Sequence, residues 1–112
     1  MYLMPEMLRV TRLMKTLADP TRRAVFEAIT RSSDITVSEL VRGSTVSQPA
    51  VSQHLRALKA AGLVAERREG RNVRYRAEPR GLAPLVDWLE FYGAFWRERF
   101  DNLASLLKRN EP

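Results

Sequence analysis

Residues 47–62 read SQPAVSQHLRALKAAG, and this segment says more about the architecture than any other in the chain. Ser47 is a favourable N-cap, and Pro49 in the first turn of a helix costs no backbone hydrogen bond. The apolar residues at three- and four-residue spacing are Val51, Leu55 and Leu58, a pattern that indicates one buried helix face. We therefore predict a helix that runs to Ala61 and ends at Gly62.

The opposite face of this helix favours contact with nucleic acid. Gln53 and Arg56 lie opposite the apolar stripe, with Pro49 and Ala60 beside them, at about 100° per residue. Residues 44–62 contain no acidic side chain. Small and hydrogen-bonding groups allow a helix to enter the major groove and read base edges. The alternative is a plain surface helix, but such a helix would more usually carry glutamate and lysine. We interpret this helix as a recognition helix.

The residues before this helix complete a helix-turn-helix pattern. Thr36 and Glu39 have the three-residue spacing of a capping box and open a short helix. Gly43 is expected in the left-handed conformation at the end of that helix, followed by a tight turn at residues 44–46. Two helices joined by a turn of about four residues form the helix-turn-helix motif.

The segment after Gly62 changes to the two-residue period of β-strands. Val73, Tyr75 and Ala77 alternate with polar residues, and residues 63–68 can pair with them as an antiparallel hairpin. Residues 69–72 form its tip, where Gly70 supplies a positive φ. The arginines of this hairpin are Arg67, Arg68, Arg71, Arg74 and Arg76. We predict a wing that follows the phosphate backbone or enters a minor groove; the alternative is an edge hairpin made soluble by charge.

The predicted elements define a fold class. Asp19 followed by Pro20 indicates an N-cap and the first position of another helix, which runs to about Arg31. The predicted order is α-α-α-α-β-β-α, a mainly α chain with a small β-hairpin, which is a winged helix-turn-helix. We expect residues 1–112 to form one domain.

The two ends of the chain carry apolar helices. We predict one helix from Pro5 to Leu17, preceded by Tyr2, and a longer one over residues 81–108 that holds six of the nine aromatic residues. The apolar arc of the longer helix is too wide for a small domain to cover, so we expect a homodimer. The alternatives are a fully intramolecular core helix and a pocket for a ligand. The predicted interface residues are Leu3, Met7, Val10, Leu85, Trp88, Leu89, Tyr92, Phe95, Trp96, Phe100 and Leu103.

Composition narrows the classes of function. The chain carries a net charge of +6, and residues 44–80 hold eight basic and three acidic side chains, which favours a polyanionic partner. There is no cysteine and one histidine, His54, so thiolate and multi-histidine metal sites within one chain are excluded, and we predict no enzyme activity. No apolar run reaches the roughly 20 residues that span a bilayer, and the N-terminus lacks a signal-peptide pattern. We expect a cytoplasmic protein with no membrane partner.

Several stretches resemble the ArsR/SmtB-type winged-helix repressors of bacteria. They are LADPTRR at 17–23, SQPAVSQHLRAL at 47–58, AGLV at 61–64 and RREGR at 67–71. With the final helix, the resemblance spans essentially the whole chain. The stretch GLAPLVDWL at 81–89 is similar to the small autorepressor-like members without metal sites. The resemblance implies a homodimer that binds a palindromic operator in double-stranded DNA and represses transcription.

The resemblance also implies DNA contacts for particular residues. The stretch that meets DNA in the family matches Ser47, Gln48, Ala50, Ser52, Gln53, His54 and Arg56. Thr21 and Arg22 open a helix whose free backbone donors would support a bound phosphate. With the wing, the candidate DNA-binding residues are Thr21, Arg22, Ser47, Gln48, Pro49, Ala50, Ser52, Gln53, His54, Arg56, Lys59, Arg67, Arg68, Arg71, Asn72 and Arg74.

The chain departs from the metal-sensing members of this family. Those members carry a cysteine motif in the short helix before the turn, where this chain reads VSELV at 37–41. Others place Asp-x-His near the start of the last helix, where this chain reads Asp87-Trp88-Leu89. We therefore predict no metal and no cofactor, and the effector is unknown. Two alternatives stay open: a repressor gated by a small hydrophobic ligand at the C-terminal helix, and a protein-interaction winged helix without DNA binding.

Overall fold

Five helices and three strands make up the described part of the chain, residues 3–110, in a computed structural model. The elements are α1 (Met4–Ala18), α2 (Pro20–Thr30), β1 (Ile35–Thr36), α3 (Val37–Arg42), α4 (Gln48–Ala60), β2 (Val64–Glu69), β3 (Asn72–Ala77) and α5 (Ala83–Arg109). The predicted helices and hairpin are confirmed, and β1 is an additional strand. Tyr2, which we predicted beside the first helix, lies outside the described residues.

Side-chain caps begin three of the helices at the predicted positions. The Arg22 amide donates to Asp19 Oδ1 at 3.0 Å, and the Ala50 amide donates to Ser47 Oγ at 3.4 Å. The Glu39 amide donates to Thr36 Oγ1 at 3.2 Å. The left-handed conformation predicted for Gly43 is wrong, since its φ is −85°. Its amide closes the last turn of α3 on Glu39, so the chain continues with helical handedness instead of reversing it.

The sheet is antiparallel, with the strand order β1-β3-β2. Glu66 lies opposite Tyr75, and Arg67 lies opposite Arg74. Gly70 has a φ of +62° at the first position of the two-residue turn, as a type II′ hairpin requires. The third strand was missed because β1 has two residues, too few to show an alternating pattern.

The buried core joins α2, α3 and α4 to the base of the hairpin. Its most deeply buried side chains are Ile29, Val51, Leu55, Leu58 and Leu63. The predicted apolar stripe of α4 is therefore confirmed as its buried face. Helix α1 adds Val10 and Leu13 to the buried residues. Val10 is 3% exposed, so our assignment of this residue to a dimer interface is corrected: it is already covered within its own protomer.

Helix α5 extends away from the core. It packs against α1, and none of its residues is buried. The radius of gyration is 18.6 Å, against roughly 13 Å for a compact chain of this length. The longest dimension of the protomer is 63 Å. Most of the apolar surface on α5 is consequently left in contact with solvent.

Candidate nucleic-acid interface

The outer face of α4 is open and free of acids. Gln48, Gln53, Arg56 and Lys59 are exposed, whereas Ser52 and His54 are half-buried at the edges of the helix. Because the helix has 3.6 residues per turn, Gln53 and Arg56 stand opposite the buried stripe, and Lys59 lies on its flank. The structure thus places most of the candidate residues of α4 on one accessible surface, which a groove of DNA could cover.

Backbone amides in the first turn of α2 are hydrogen-bonded to a carboxylate of the chain. Asp19 accepts a hydrogen bond from the Arg22 amide, and this bond is the main reason that the pKa of Asp19 is lowered. A hydrogen bond from the Thr21 amide to the same carboxylate also lowers this pKa. A phosphate at this helix start would therefore compete with Asp19 for its backbone donors. Thr21 and Arg22 are brought next to α4 through the packing of α2 against it.

One face of the wing is tied to the end of α4 by an acid. Lys59 Nζ lies 2.6 Å from Glu66 Oε1, and the Tyr75 hydroxyl donates to Glu66 Oε2 at 3.2 Å. The hydrogen bond from Lys59 is the largest cause of the lowered pKa of Glu66, with a further contribution from Tyr75. Burial, followed by the bond to Glu66, raises the pKa of Tyr75. This cluster sets the wing relative to the helix.

The other face of the wing holds a second charge cluster. Arg67 and Arg74 are cross-strand neighbours. Two like charges directly opposite each other destabilise a sheet. Arg67 Nη2 lies 2.9 Å from Asp34 Oδ2 and 3.2 Å from Glu69 Oε2, and Arg74 Nε lies 3.2 Å from the same Glu69 oxygen. The two carboxylates offset the repulsion and connect the hairpin to the turn before β1.

These ion pairs divide the predicted phosphate-binding cations into two groups. Lys59, Arg67 and Arg74 each have a carboxylate partner within the protomer. Within residues 3–110, Arg56 on α4 and two wing residues, Arg68 and Arg71, are exposed and have no ion-pair partner. Asn72, the remaining wing candidate, is also exposed. Arg56, Arg68 and Arg71 are therefore the exposed cations most available to an incoming phosphate.

Sequence reasoning did not find the acids that organise this surface. Asp34 and Glu69 are 35 residues apart and meet on one arginine only because β1 adds to the hairpin. Glu66 and Tyr75 had a signal in the sequence, since they lie in the two segments that were predicted to pair as the hairpin. That signal needed the strand register, which the pattern did not define.

The Glu66 cluster predicts a specific dependence of stability on pH. The pKa of Glu66 is lowered from 4.5 by folding, so its contribution is present above pH 4.5 and is lost as the pH falls through the folded value. Glu66→Gln is expected to lower the free energy of unfolding at neutral pH by less than about 1 kcal/mol, because the pair is exposed. In urea unfolding curves the difference should be smaller at a pH below 4.5 than at neutral pH. A difference of the same size at both pH values would contradict the assignment.

The described residues show neither a metal site nor a membrane span. Within residues 3–110, no group of three or more histidine, cysteine, aspartate or glutamate side chains is placed to hold a metal ion. No helix in that range is long and apolar enough to cross a bilayer.

A helix-turn-helix followed by a basic antiparallel wing defines a winged-helix regulator of the DNA-binding type. Residues 19–66 match the family described as "Bacterial regulatory protein, arsR family". The chain is 42% identical over 96 residues to the HTH-type transcriptional regulator Rv2034 of Mycobacterium tuberculosis, a match that covers 86% of each protein. The chain therefore belongs to the arsR family of bacterial transcriptional regulators and is not an enzyme, as the resemblance implied.

Further similarities agree with this assignment. An ArsR-like transcriptional regulator from Rhodococcus sp. RHA1 has a TM-score of 0.70 and 34% identity, covering 93% of this chain and 94% of that one. The HTH-type transcriptional repressor SmtB of Mycobacterium tuberculosis is 47% identical over 74 residues, which are 66% of this chain and 54% of that protein. The winged-helix fold predicted from the sequence is confirmed by these structural and sequence relatives.

Proposed function

We propose that this regulator is a homodimer that binds a palindromic operator and represses transcription in the bacterial cytoplasm. Each protomer inserts α4, the recognition helix, into the major groove, and its wing lies along the adjacent backbone. The terminal helices and the winged helix act together as one domain. The observation that carries this proposal is the exposed, acid-free face of α4 beside a wing with an unpaired arginine at its tip.

The division of labour on this surface follows from the side-chain chemistry. Gln53 is exposed at the centre of the outer face, and an amide side chain can make paired hydrogen bonds with an adenine edge. Ala50 and Ser52 are small and allow the helix to approach the bases closely. Arg71 is exposed at the wing tip, where a guanidinium reaches phosphates irrespective of sequence.

The dimer is supported by the apolar surface that one protomer leaves uncovered. Phe95 is 48% exposed, Trp96 54%, Phe100 63% and Leu103 51%, all on α5. Leu3, the N-cap residue of α1, and Met7 within that helix add exposed apolar groups, and α1 packs on α5. A second copy would cover both helices at once. Because two half-sites are one turn of duplex apart, about 34 Å, a two-fold dimer fits a palindrome.

The same exposure argues against a ligand pocket on α5. Phe95, Trp96 and Phe100 line an open helix surface, whereas ligand pockets are concave and bury most of the ligand. Leu85 and Trp88 are half-buried near the start of the helix and pack closer to the protomer. Leu89 and Tyr92 continue the exposed face. We therefore assign this face to the second copy.

Two alanine variants test the division of labour. Gln53→Ala is expected to bind the operator about tenfold more weakly while leaving affinity for scrambled DNA unchanged. Arg71→Ala is expected to weaken binding to both duplexes by a similar factor and to lower the salt slope by about one. Fluorescence anisotropy titrations at several salt concentrations measure both effects. Equal losses from both variants on both duplexes would contradict the separate roles.

The function itself is tested by selecting a duplex and footprinting it. The full chain is used to enrich binding sequences from a random duplex pool, and the enriched duplex is probed by hydroxyl-radical protection. We expect a site with two-fold symmetry and protected regions about one helical turn apart. Genomic mapping of bound sites then identifies the regulated promoters. Enrichment of no sequence, or protection without symmetry, would refute the proposal.

A further inference from the structure

Arg22 on α2 is hydrogen-bonded to a residue of α4, a contact that a direct bond from Arg22 to DNA would not explain. Arg22 Nε donates to His54 Nδ1 at 3.3 Å, and Arg22 Nη1 donates to the Thr16 carbonyl at 3.4 Å. The Arg22 amide is held by Asp19. One arginine thus connects the end of α1, the start of α2 and the edge of α4. Thr16 is buried and donates to the Arg12 carbonyl within α1, so this anchor lies on well-packed backbone.

The chemistry of this contact defines the protonation pattern of the imidazole. A guanidinium has only donors, so His54 Nδ1 must accept and cannot carry a proton. In a neutral imidazole the proton is then on Nε2, which becomes a hydrogen-bond donor. No hydrogen bond to Nε2 occurs within residues 3–110, and no buried polar side-chain atom there lacks a partner, so Nε2 reaches solvent.

His54 is placed where its Nε2–H donor can contact DNA. His54 follows Gln53 on α4 and lies at the edge of the exposed face, half-buried against α2. A donor at the edge of a recognition helix meets the backbone of the duplex rather than the base edges. The charged groups that face His54 are Arg22, which bonds to it, and Asp19, which interacts with it electrostatically.

We propose that Arg22 is a positioning residue that holds His54 in the Nε2–H tautomer, so that the recognition helix presents this N–H to a phosphate oxygen of the operator. The proposal rests on the proposed function, since it requires α4 to lie in the major groove. It gives Arg22 a role through His54 instead of a direct phosphate contact. Arg22 also links the recognition helix to α1, which belongs to the proposed dimer interface.

The tautomer is measured first, without DNA. His54 is the one histidine of the chain, so the imidazole signals of ¹⁵N-labelled protein need no assignment. Long-range ¹H–¹⁵N spectra recorded at alkaline pH report which nitrogen of the imidazole is protonated. We expect protonated Nε2 and unprotonated Nδ1 in the wild type. In Arg22→Met the two nitrogen resonances should move toward each other, because the second tautomer becomes populated.

Arg23→Met is the matched control for this measurement. Arg23 also lies in the first turn of α2 and also donates to a carbonyl at the end of α1, at 2.9 Å from Leu17 O. Within residues 3–110, Arg23 makes no hydrogen bond to His54. Arg23→Met therefore removes the same charge as Arg22→Met but leaves the contacts of the imidazole intact. The wild-type nitrogen resonances should persist in Arg23→Met. Unchanged resonances in Arg22→Met would overturn the proposal.

The second measurement uses the duplex enriched by the wild-type protein. Arg22→Met and His54→Phe are each expected to weaken binding about three- to tenfold, which is the loss of affinity expected when one hydrogen bond is removed. The double variant should bind no more weakly than either single variant, because both remove the same contact. His54→Gln retains a side-chain donor and should bind more tightly than His54→Phe.

Each outcome of the binding arm bears on the proposal. Multiplied losses in the double variant, or a salt slope lowered by about one in Arg22→Met but not in Arg23→Met, would show a direct phosphate contact of Arg22 and overturn it. If the wild type enriches no duplex, the proposed function fails together with the role of Nε2 at DNA. In that case the spectra still decide whether Arg22 sets the tautomer.

Discussion

Phe100→Glu is expected to separate the dimer into monomers and to weaken operator binding by at least about 100-fold, since avidity from two linked sites is lost. Phe100 is the most exposed aromatic side chain among the described residues, on the face of α5 that we assign to the second copy. A carboxylate there would have to be buried without a partner when two copies meet, which is strongly unfavourable. The folded protomer already leaves this position in water, so its own stability should change little.

The control for this variant is Ser105→Glu, which adds the same single negative charge to the same helix. Ser105 is exposed and lies five residues after Phe100, about 140° away around α5 at about 100° per residue. Sedimentation should give about twice 12.9 kDa for the wild type and Ser105→Glu, and 12.9 kDa for Phe100→Glu. Anisotropy with the enriched duplex gives the affinities. A monomeric wild type at micromolar concentration, or a dimeric Phe100→Glu with full affinity, would refute the assigned interface.

Gly81→Ala is expected to lower the free energy of unfolding by about 1–3 kcal/mol, the usual cost of overpacking a closely packed site. A Cβ at this position would lie 2.5 Å from the Gly62 carbonyl oxygen, 3.0 Å from Leu63 Cα and 3.2 Å from the Glu78 carbonyl oxygen. All three are backbone atoms and cannot rotate away. The clash falls where the chain leaves the wing and enters α5, beside the turn that ends α4.

Gly43→Ala is the matched control for the packing argument. A Cβ at Gly43 would lie 3.7 Å from its nearest neighbour, an ordinary contact, and the φ of −85° suits any residue. We expect a change within about 0.5 kcal/mol. Urea unfolding at equal protein concentrations compares the two variants, because dimer stability depends on concentration. Equal effects of both substitutions would show that the close approach at Gly81 has no energetic consequence.

Local patterns predicted the elements of this protein well where the signal lies within a few residues. Asp19, Thr36 and Ser47 cap their helices as expected, because a cap depends on an amide three positions away. The buried stripe of α4 follows from helical period alone. The positive φ of Gly70 follows from a two-residue turn between alternating segments. The error at Gly43 arose where two helix endings were equally compatible with the same glycine.

The candidate interface was predictable in its residue types but not in its connections. The arginines of the wing were visible in the sequence, yet nothing local indicated that Arg67 meets Asp34 or that Lys59 meets Glu66. The hydrogen bond from Arg22 to His54 spans 32 positions and depends on how α2 packs on α4. Val10 was placed at the wrong surface because periodicity shows an apolar face without showing which neighbour covers it.

The amino-acid sequence by itself determined the helix-turn-helix, the hairpin and the excess of positive charge around them, because these depend on propensity and on spacings of a few residues. Tertiary structure decided which cations are free. It pairs Arg67 with Asp34 and Lys59 with Glu66, and among the candidate cations of α4 and the wing it leaves Arg56, Arg68 and Arg71 without an ion pair within residues 3–110. The physical reason is that charge pairing acts through space over a few ångströms, and only the packed chain brings residues so distant in sequence within that range.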